Sequence, residues 1–315
     1  MVHAQMRALV RRYPAVRYAT RKIRIHLPQR LGGLDPAHVP PRVRHFELAL
    51  PSRSGWAGGG PAALSVTAPG DLRLPRLLHS GGLAGYEPEA TACFLALLEH
   101  ARPGSVLDIG ANVGLYAALA AARGRRRVYA FEPTPHTAAT ARAIAADNGL
   151  DVEVVQLALS NHGGTAALRL SATADTANSL AWGPGPQLGR VPVTVDTLSH
   201  WRERTGAHPA VVKVDTAATE PDVIAGGLEV LRRCRPWIVC EVRPGNGAEQ
   251  RLMALLEPFG YRWYHLSGEP PYAPSPMIRA AGAAPHERMW LFAPEPVPER
   301  VWRLARAWRA AFAGR

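Results

Sequence analysis

Val106-Leu-Asp-Ile-Gly-Ala-Asn-Val-Gly114 runs from a short apolar segment into a glycine-rich turn. Val106, Leu107 and Ile109 suit a brief buried strand, and the apolar run Val113–Ala122 that follows suits a helix. Glycines at 110 and 114 let the backbone pass close to a ligand, because no Cβ intervenes. A helix starting near Val113 points free N–H groups and its positive dipole end at the same place. Strand, glycine turn and helix together predict a nucleotide-like ligand site at the end of a parallel sheet.

The neighbouring stretches extend this pattern in both directions. Pro88–His100 reads as a helix with proline in its first turn. Arg127–Phe131 and Val152–Leu157 read as strands, and Pro135–Asn148 between them as a helix stopped by Gly149. Ala210–Asp215, Trp237–Glu241, Tyr261–Leu266 and Met289–Phe292 supply four more strands. Helices are expected from near Pro221 and from about Gly247 to Glu257. Strands alternating with helices predict right-handed crossovers and a parallel α/β sheet. Asn161–Arg190 is rich in Gly, Ser, Thr and Ala and predicts a hairpin and loop over one end of that sheet.

The turn itself narrows the ligand. Gly-x-x-x-x-Gly-Lys-Ser/Thr, the phosphate-cradling loop, does not occur. A dinucleotide site prefers Gly-x-Gly-x-x-Gly, whereas the spacing here is Gly110-x-Asn112-x-Gly114. Asp108, two residues before the first glycine, would repel a pyrophosphate and attract a cationic ligand. Glu132 ends the second strand, 22 residues after Gly110, where an acidic side chain can accept both ribose hydroxyls. NAD sites share that last feature, so a nicotinamide oxidoreductase stays open on these residues alone.

Taken in order, these stretches resemble the FkbM family of S-adenosylmethionine-dependent methyltransferases. The resemblance rests on Val106–Gly114, Phe131-Glu-Pro-Thr-Pro135 and Asp147-Asn148. It continues through Ala158-Leu-Ser-Asn161, Asn178-Ser-Leu180, Val195-Asp-Thr-Leu198 and Val212-Lys-Val-Asp215. Val239-Cys-Glu-Val242, Trp290-Leu-Phe-Ala-Pro294 and the upstream Gly85-Tyr-Glu-Pro88 complete it, so that it covers about residues 83 to 294. It implies a Rossmann-like α/β fold: a seven-stranded, mostly parallel sheet, the last strand antiparallel, helices on both faces. It also implies methyl transfer to a hydroxyl of a sugar or secondary metabolite. The cofactor site expected from it comprises Asp108, Gly110, Ala111, Asn112, Gly114, Phe131, Glu132, Pro133 and Ala158, with Tyr86 and Glu87 closing over cofactor or acceptor.

One stretch departs from the family pattern. Where the family has Asp-Val-Glu-Gly-x-Glu after the fourth strand, this chain has Asp215-Thr-Ala-Ala-Thr-Glu220. Ala217 and Ala218 stand in place of Glu and Gly, which keeps a non-catalytic binder open. Candidate groups at the acceptor are Asp215, Glu220 and Glu241 at the carboxyl ends of the central strands, together with Lys213, and Asp215 comes first as a base for the acceptor hydroxyl. Strand alternation sets Lys213 on the same face as Asp215, so an ion pair is equally expected. No linear cluster has metal-ligand spacing, and no metal is expected.

Bulk properties set the remaining expectations. The 315 residues suffice for one large α/β domain with extensions, and 47% are hydrophobic. The net charge of +12 would suit nucleic acid or an anionic membrane, and a methyltransferase acting on nitrogen in nucleic acid or protein is the alternative it supports. Lys22 and Lys213 are the only lysines among 37 basic residues. Such arginine bias, with abundant Ala, Gly and Pro, reads as coding composition, and the expected partner is a small molecule or glycan rather than nucleic acid. The three cysteines (Cys93, Cys234, Cys240) sit in apolar stretches and read as reduced core residues of a cytoplasmic protein. No apolar run approaches the ~20 residues of a membrane span, and no signal peptide is read at the N-terminus. Three segments follow: a basic extension and linker over 1–82, the methyltransferase domain over 83–296, and an amphipathic helix over 297–315. The extension is expected to hold a basic helix over Met6–Ile25 and a small-residue linker over Ser52–Gly60. Both terminal helices are candidates for weak contact with a membrane surface.

Overall fold

The computed structural model describes residues 43–53, 59–124, 126–171, 175–181, 187–280 and 287–313. The expected helix over Met6–Ile25 lies outside the described residues, as does most of the Ser52–Gly60 linker.

Seven strands form the central sheet. In chain order they are β3 (Ser105–Ile109), β4 (Val128–Phe131), β5 (Val152–Val155), β9 (Pro209–Val214), β10 (Trp237–Glu241), β11 (Arg262–His265) and β12 (Met289–Ala293). Their spatial order is β11-β12-β10-β9-β3-β4-β5. β12 runs antiparallel to both β10 and β11, and the pairs from β10 across to β5 are parallel. The expected Rossmann-like α/β sheet with its last strand antiparallel is therefore the observed one. Chain order reverses at β3, which has β4 on one side and β9 on the other. The carboxyl ends of these strands diverge there and leave a crevice.

Helices cover both faces. One core cluster joins α2 (Pro88–His100), α3 (Leu115–Arg123) and α9 (Glu299–Ala313) to one face. The other joins α5 (Leu198–Thr205), α6 (Glu220–Gly226), α7 (Leu228–Cys234) and α8 (Ala248–Leu256) to the opposite face. The helix expected from Pro221 is thus two short helices, because Gly227 between them has a non-helical backbone. β6 (Ala158–Ser160), β7 (Gly164–Ser171) and β8 (Gln187–Thr197) make a small second sheet, and β7 and β8 are the expected hairpin. Cys93, Cys234 and Cys240 are all buried and free.

Arg44–Arg315 forms one compact unit. β1 (Val43–Ala49) and β2 (Ala63–Pro69) pair with each other. Side chains of the α/β core hold them by their backbone. The Asn148 amide, just after α4 (Pro135–Asp147), accepts from Ser65 N–H and donates to Ser65 C=O, both at 2.8 Å. Buried Arg123 donates to the carbonyls of Pro51 and Pro61, both at 3.0 Å. Composition alone reads as a linker here because the partners of this strand pair lie 62 to 83 residues away.

The tail helix also differs from one expectation. Its apolar stripe is spent on packing: Val301, Trp302, Ala305 and Trp308 are buried against the domain. Trp308 Nε1 donates to Glu99 Oε1 on α2 at 2.6 Å, and Arg309 pairs with Glu89 at 2.9 Å. An apolar face already covered by protein is not available to a bilayer, so membrane contact through this helix is not supported. Among the described residues no helix is long and apolar enough to cross a membrane.

Candidate active site

The crevice at the switch point is a cleft of about 850 Å³, its open mouth included. The turn after β3 forms its floor, and the reasons for the glycines differ from the sequence expectation. At Gly110 (φ +79°) an added Cβ would sit 1.9 Å from the Asp215 carbonyl oxygen. At Gly114 (φ +79°) it would meet the Ala141 side chain at 3.2 Å. Both glycines make room for protein rather than for ligand. Gly114 does not line the cleft, whereas Gly110, Ala111 and Asn112 do.

The helix after the turn starts at Leu115, two residues later than expected. Asn112 (φ +52°) and Gly114 are left-handed, and Gly114 N–H closes back onto the Ala111 carbonyl at 2.7 Å. Asp108 Oδ2 then accepts from Ala117 N–H at 2.9 Å. The helix terminus therefore already has its anion, supplied by the chain itself, and a bound phosphate would compete with it. Burial pushes the Asp108 carboxyl up to about 6, against the pull of the Lys213 ammonium and the Ala117 N–H.

Glu132 is 7% exposed and fixed by two backbone donors. Its Oε2 accepts from Asn112 N–H at 2.9 Å, and its Oε1 from Thr134 N–H at 2.8 Å. The Thr134 and Thr137 hydroxyls add side-chain hydrogen bonds to the same carboxylate. Burial raises its pKa, tempered by hydrogen bonds from the Thr134 hydroxyl and N–H, the Thr137 hydroxyl and the Asn112 N–H. Phe131, Pro133 and Ala158 also line the cleft, and so does Tyr86, whose phenol burial pushes up. Glu87 instead turns away and accepts from Tyr116 Oη at 2.9 Å. It is the left-handed residue (φ +46°) before α2 and does not line the cleft.

At the other end stand Lys213 and Asp215. Lys213 Nζ lies 3.2 Å from Asp215 Oδ2 and 4.6 Å from the Tyr116 ring centre. Both residues line the cleft, so the sequence expectation of a shared face and an ion pair is met by geometry. Burial opposes the charge on Lys213, yet Asp215, Glu87, Asp108 and Glu241 hold its pKa above the ordinary value. Glu220 does not face the acceptor end. Its Oε1 accepts from Thr216 N–H at 2.8 Å and Ala218 N–H at 3.2 Å, which binds the loop from within. That loop is left-handed at Ala217 (φ +56°) and Ala218 (φ +85°). The backbone keeps a glycine-type conformation where the chain has alanine.

The loop expected over one end of the sheet supplies one wall of the cleft, although none of its residues was among the expected site residues. Asp175, Thr176, Asn178, Ser179 and Leu180, from the stretch between β7 and β8, lie across the cleft. Asp175 accepts from Asn112 Nδ2 (3.0 Å) and Arg73 N–H (2.6 Å), and Ser179 Oγ donates to the Ala217 carbonyl at 2.6 Å. Asn178-Ser-Leu180 was visible as a motif, but nothing in a linear pattern says which loop a hairpin covers.

Residues 108–263 match the family model described as a methyltransferase FkbM domain. No curated protein matches the chain. Among solved structures, similar traces occur in the methyltransferase FkbM from Methylobacillus flagellatus KT (13% identity, 60% of this chain, 43% of that chain, TM-score 0.38). The SAM-dependent methyltransferase from Agrobacterium tumefaciens is similar at 10% identity, covering 80% of this chain and 71% of that one (TM-score 0.40). So is the T. thermophilus 16S rRNA N2 G1207 methyltransferase in complex with AdoMet and guanosine, at 13% identity, 81% and 51% coverage and a TM-score of 0.38. The chain spans less than half the length of the Methylobacillus protein.

Proposed function

The chain carries a methyltransferase domain of the FkbM family over residues 108–263, and from that premise we propose that it moves a methyl group from S-adenosylmethionine to a hydroxyl of a sugar or secondary metabolite. The observation that carries the cofactor assignment is the pair of carboxylates at the strand ends. Glu132 lines the cleft as a buried carboxylate held at the end of β4. Asp108 fills the helix terminus with negative charge. Such a site accepts ribose hydroxyls and a cationic methionine end, and disfavours a pyrophosphate. Asn112 Oδ1 supports the fit: it is buried in the cleft floor with no donor among the described residues, and a ligand N–H or O–H would satisfy it.

Bound there, S-adenosylmethionine supplies a methyl group already activated by the sulfonium charge. The chain's work is to orient the acceptor, exclude water and take the acceptor proton. Asp215 faces the cleft and is held by Lys213, which keeps its carboxyl below the usual range although burial opposes this. It accepts a hydrogen bond from the acceptor hydroxyl, and the proton leaves through it as the new C–O bond forms. The strap over 175–181 closes the cleft against solvent.

Titration calorimetry with S-adenosylmethionine, S-adenosylhomocysteine and NAD tests the cofactor assignment. Tight NAD binding with neither sulfur compound bound would sink it. Release of S-adenosylhomocysteine in the presence of a panel of hydroxylated acceptors, followed by mass spectrometry of the product, tests the acceptor class. Ala217 and Ala218 favour a second reading, a binder without turnover, because a carboxylate of the family pattern is missing beside Asp215. Cofactor binding with no product across the panel would select it.

A further inference from the structure

Asp215 and Glu220 stand five residues apart and Glu241 lies 21 residues further on, a spacing that does not mark them as ligands. The sheet gathers them from the end of β9, the start of α6 and the end of β10. One carboxylate oxygen of each lies within 4.8 Å of the others.

Each carboxylate has one oxygen committed to the protein. Lys213 Nζ holds Asp215 Oδ2, and Arg243 Nε holds Glu241 Oε2 at 2.5 Å. Backbone N–H groups hold Glu220 Oε1. Glu220 Oε2 is left enclosed, on a residue 1% exposed, with no donor among the described residues. A buried carboxylate oxygen without a partner is costly and calls for a proton or a cation. The Asp215 and Glu241 carboxyls stand within hydrogen-bonding reach of each other, although neither carboxylate has a proton to donate when ionised. Around them, Glu87 and Asp108 also press on Lys213. Five carboxylates thus face two cations, Lys213 and Arg243.

We propose that Asp215, Glu220 and Glu241 form a binding site for one hard divalent cation of the Mg2+ or Mn2+ class. The donor set is all oxygen and all anionic, which suits these ions and not a soft metal. Bonds of about 2.1 Å place ligand oxygens ~3–4 Å apart, so the cluster needs only slight contraction. Asp215 belongs to both the cluster and the cleft, so a cation sharing it sits beside the acceptor end. There it would bind an acceptor oxygen as a Lewis acid and ease loss of its proton. That last role rests on the function proposed above; cation binding itself does not.

Mn2+ titration of the chelator-treated full chain, read by electron paramagnetic resonance, tests the site. One Mn2+ per chain, displaced by Mg2+, is expected. Glu220→Gln should weaken binding at least ~tenfold while the far-ultraviolet dichroism stays native. Should that variant misfold, Glu241→Gln and the wild-type titration carry the test. No Mn2+ bound by the wild type up to ~1 mM, or undiminished binding in a folded variant, overturns the proposal. Calorimetry with S-adenosylhomocysteine on the same chelated protein separates the two readings. Cofactor bound without Mn2+ refutes only the cation site; Mn2+ bound without cofactor refutes only the cofactor assignment.

Discussion

Ser179 Oγ donates a 2.6 Å hydrogen bond to the carbonyl of Ala217, tying the strap over the cleft to the left-handed loop after β9. Ser179 is 1% exposed, so the bond is shielded from water. It joins the wall built by the stretch between β7 and β8 to the loop where the chain departs from the FkbM pattern.

Removing that bond leaves a carbonyl without its donor. Ser179→Ala should destabilise the protein by about 1–3 kcal/mol. It should also speed proteolytic cleavage within 175–181, which S-adenosylhomocysteine should slow again. An unchanged cleavage rate in the variant would show that the strap is held by other contacts.

Ala218 at φ +85° occupies backbone space in which a Cβ is unfavourable. Ala218→Gly should relieve strain and stabilise the fold by about 1 kcal/mol, measured by urea unfolding. Ala218→Val should do the reverse. Loss of stability in the glycine variant would mean that the Ala218 side chain contributes packing that outweighs the strain.

Asp108 gives a signed pH dependence. Its folded pKa of about 6 lies above the ordinary carboxylate value because of burial. The native state therefore binds this proton more tightly than the unfolded chain. The associated stability is full below the ordinary value and is lost as pH rises through about 6. Asp108→Asn should flatten the stability profile between the two by up to about 1.4 kcal/mol per pH unit. A cationic cofactor favours the ionised form, so its affinity for the wild type should rise across the same window. A falling affinity would contradict the assignment of Asp108 to the cationic end.

Glu132→Gln exchanges one acceptor oxygen for an amide donor, next to the N–H groups of Asn112 and Thr134. Cofactor affinity should drop by about 1–3 kcal/mol, or roughly ten- to a hundredfold, by calorimetry. Equal affinity in variant and wild type would remove Glu132 from the site.

Truncating Trp308, fully buried between α9 and α2, to alanine should cost about 3–5 kcal/mol. Liposome flotation should show no loss in the variant, since the stripe is core. Flotation of the wild type that depends on α9 would restore the membrane role.

The glycine turn and the carboxylates at the strand ends were legible in the sequence because their parts are local. Val106–Gly114 and Phe131–Pro135 are each one strand end and its turn, and strand period, glycine and carboxylate sit within a few residues. The seven strands, the antiparallel last strand and the Lys213–Asp215 pair follow from the same short-range patterns and from the family resemblance. What tertiary structure alone decided is non-local. Gly110 is required by the Asp215 carbonyl, and Glu220 folds back on its own loop. Asp175 and Ser179 reach the cleft from the stretch between β7 and β8, and Asn148 and Arg123 hold the backbone of Ser65, Pro51 and Pro61. Asp215, Glu220 and Glu241 meet only because β9 and β10 are neighbours in the sheet. Periodicity encodes which side of an element faces inward; which other element it faces is set by packing across many residues at once, and that information has no position in the linear chain.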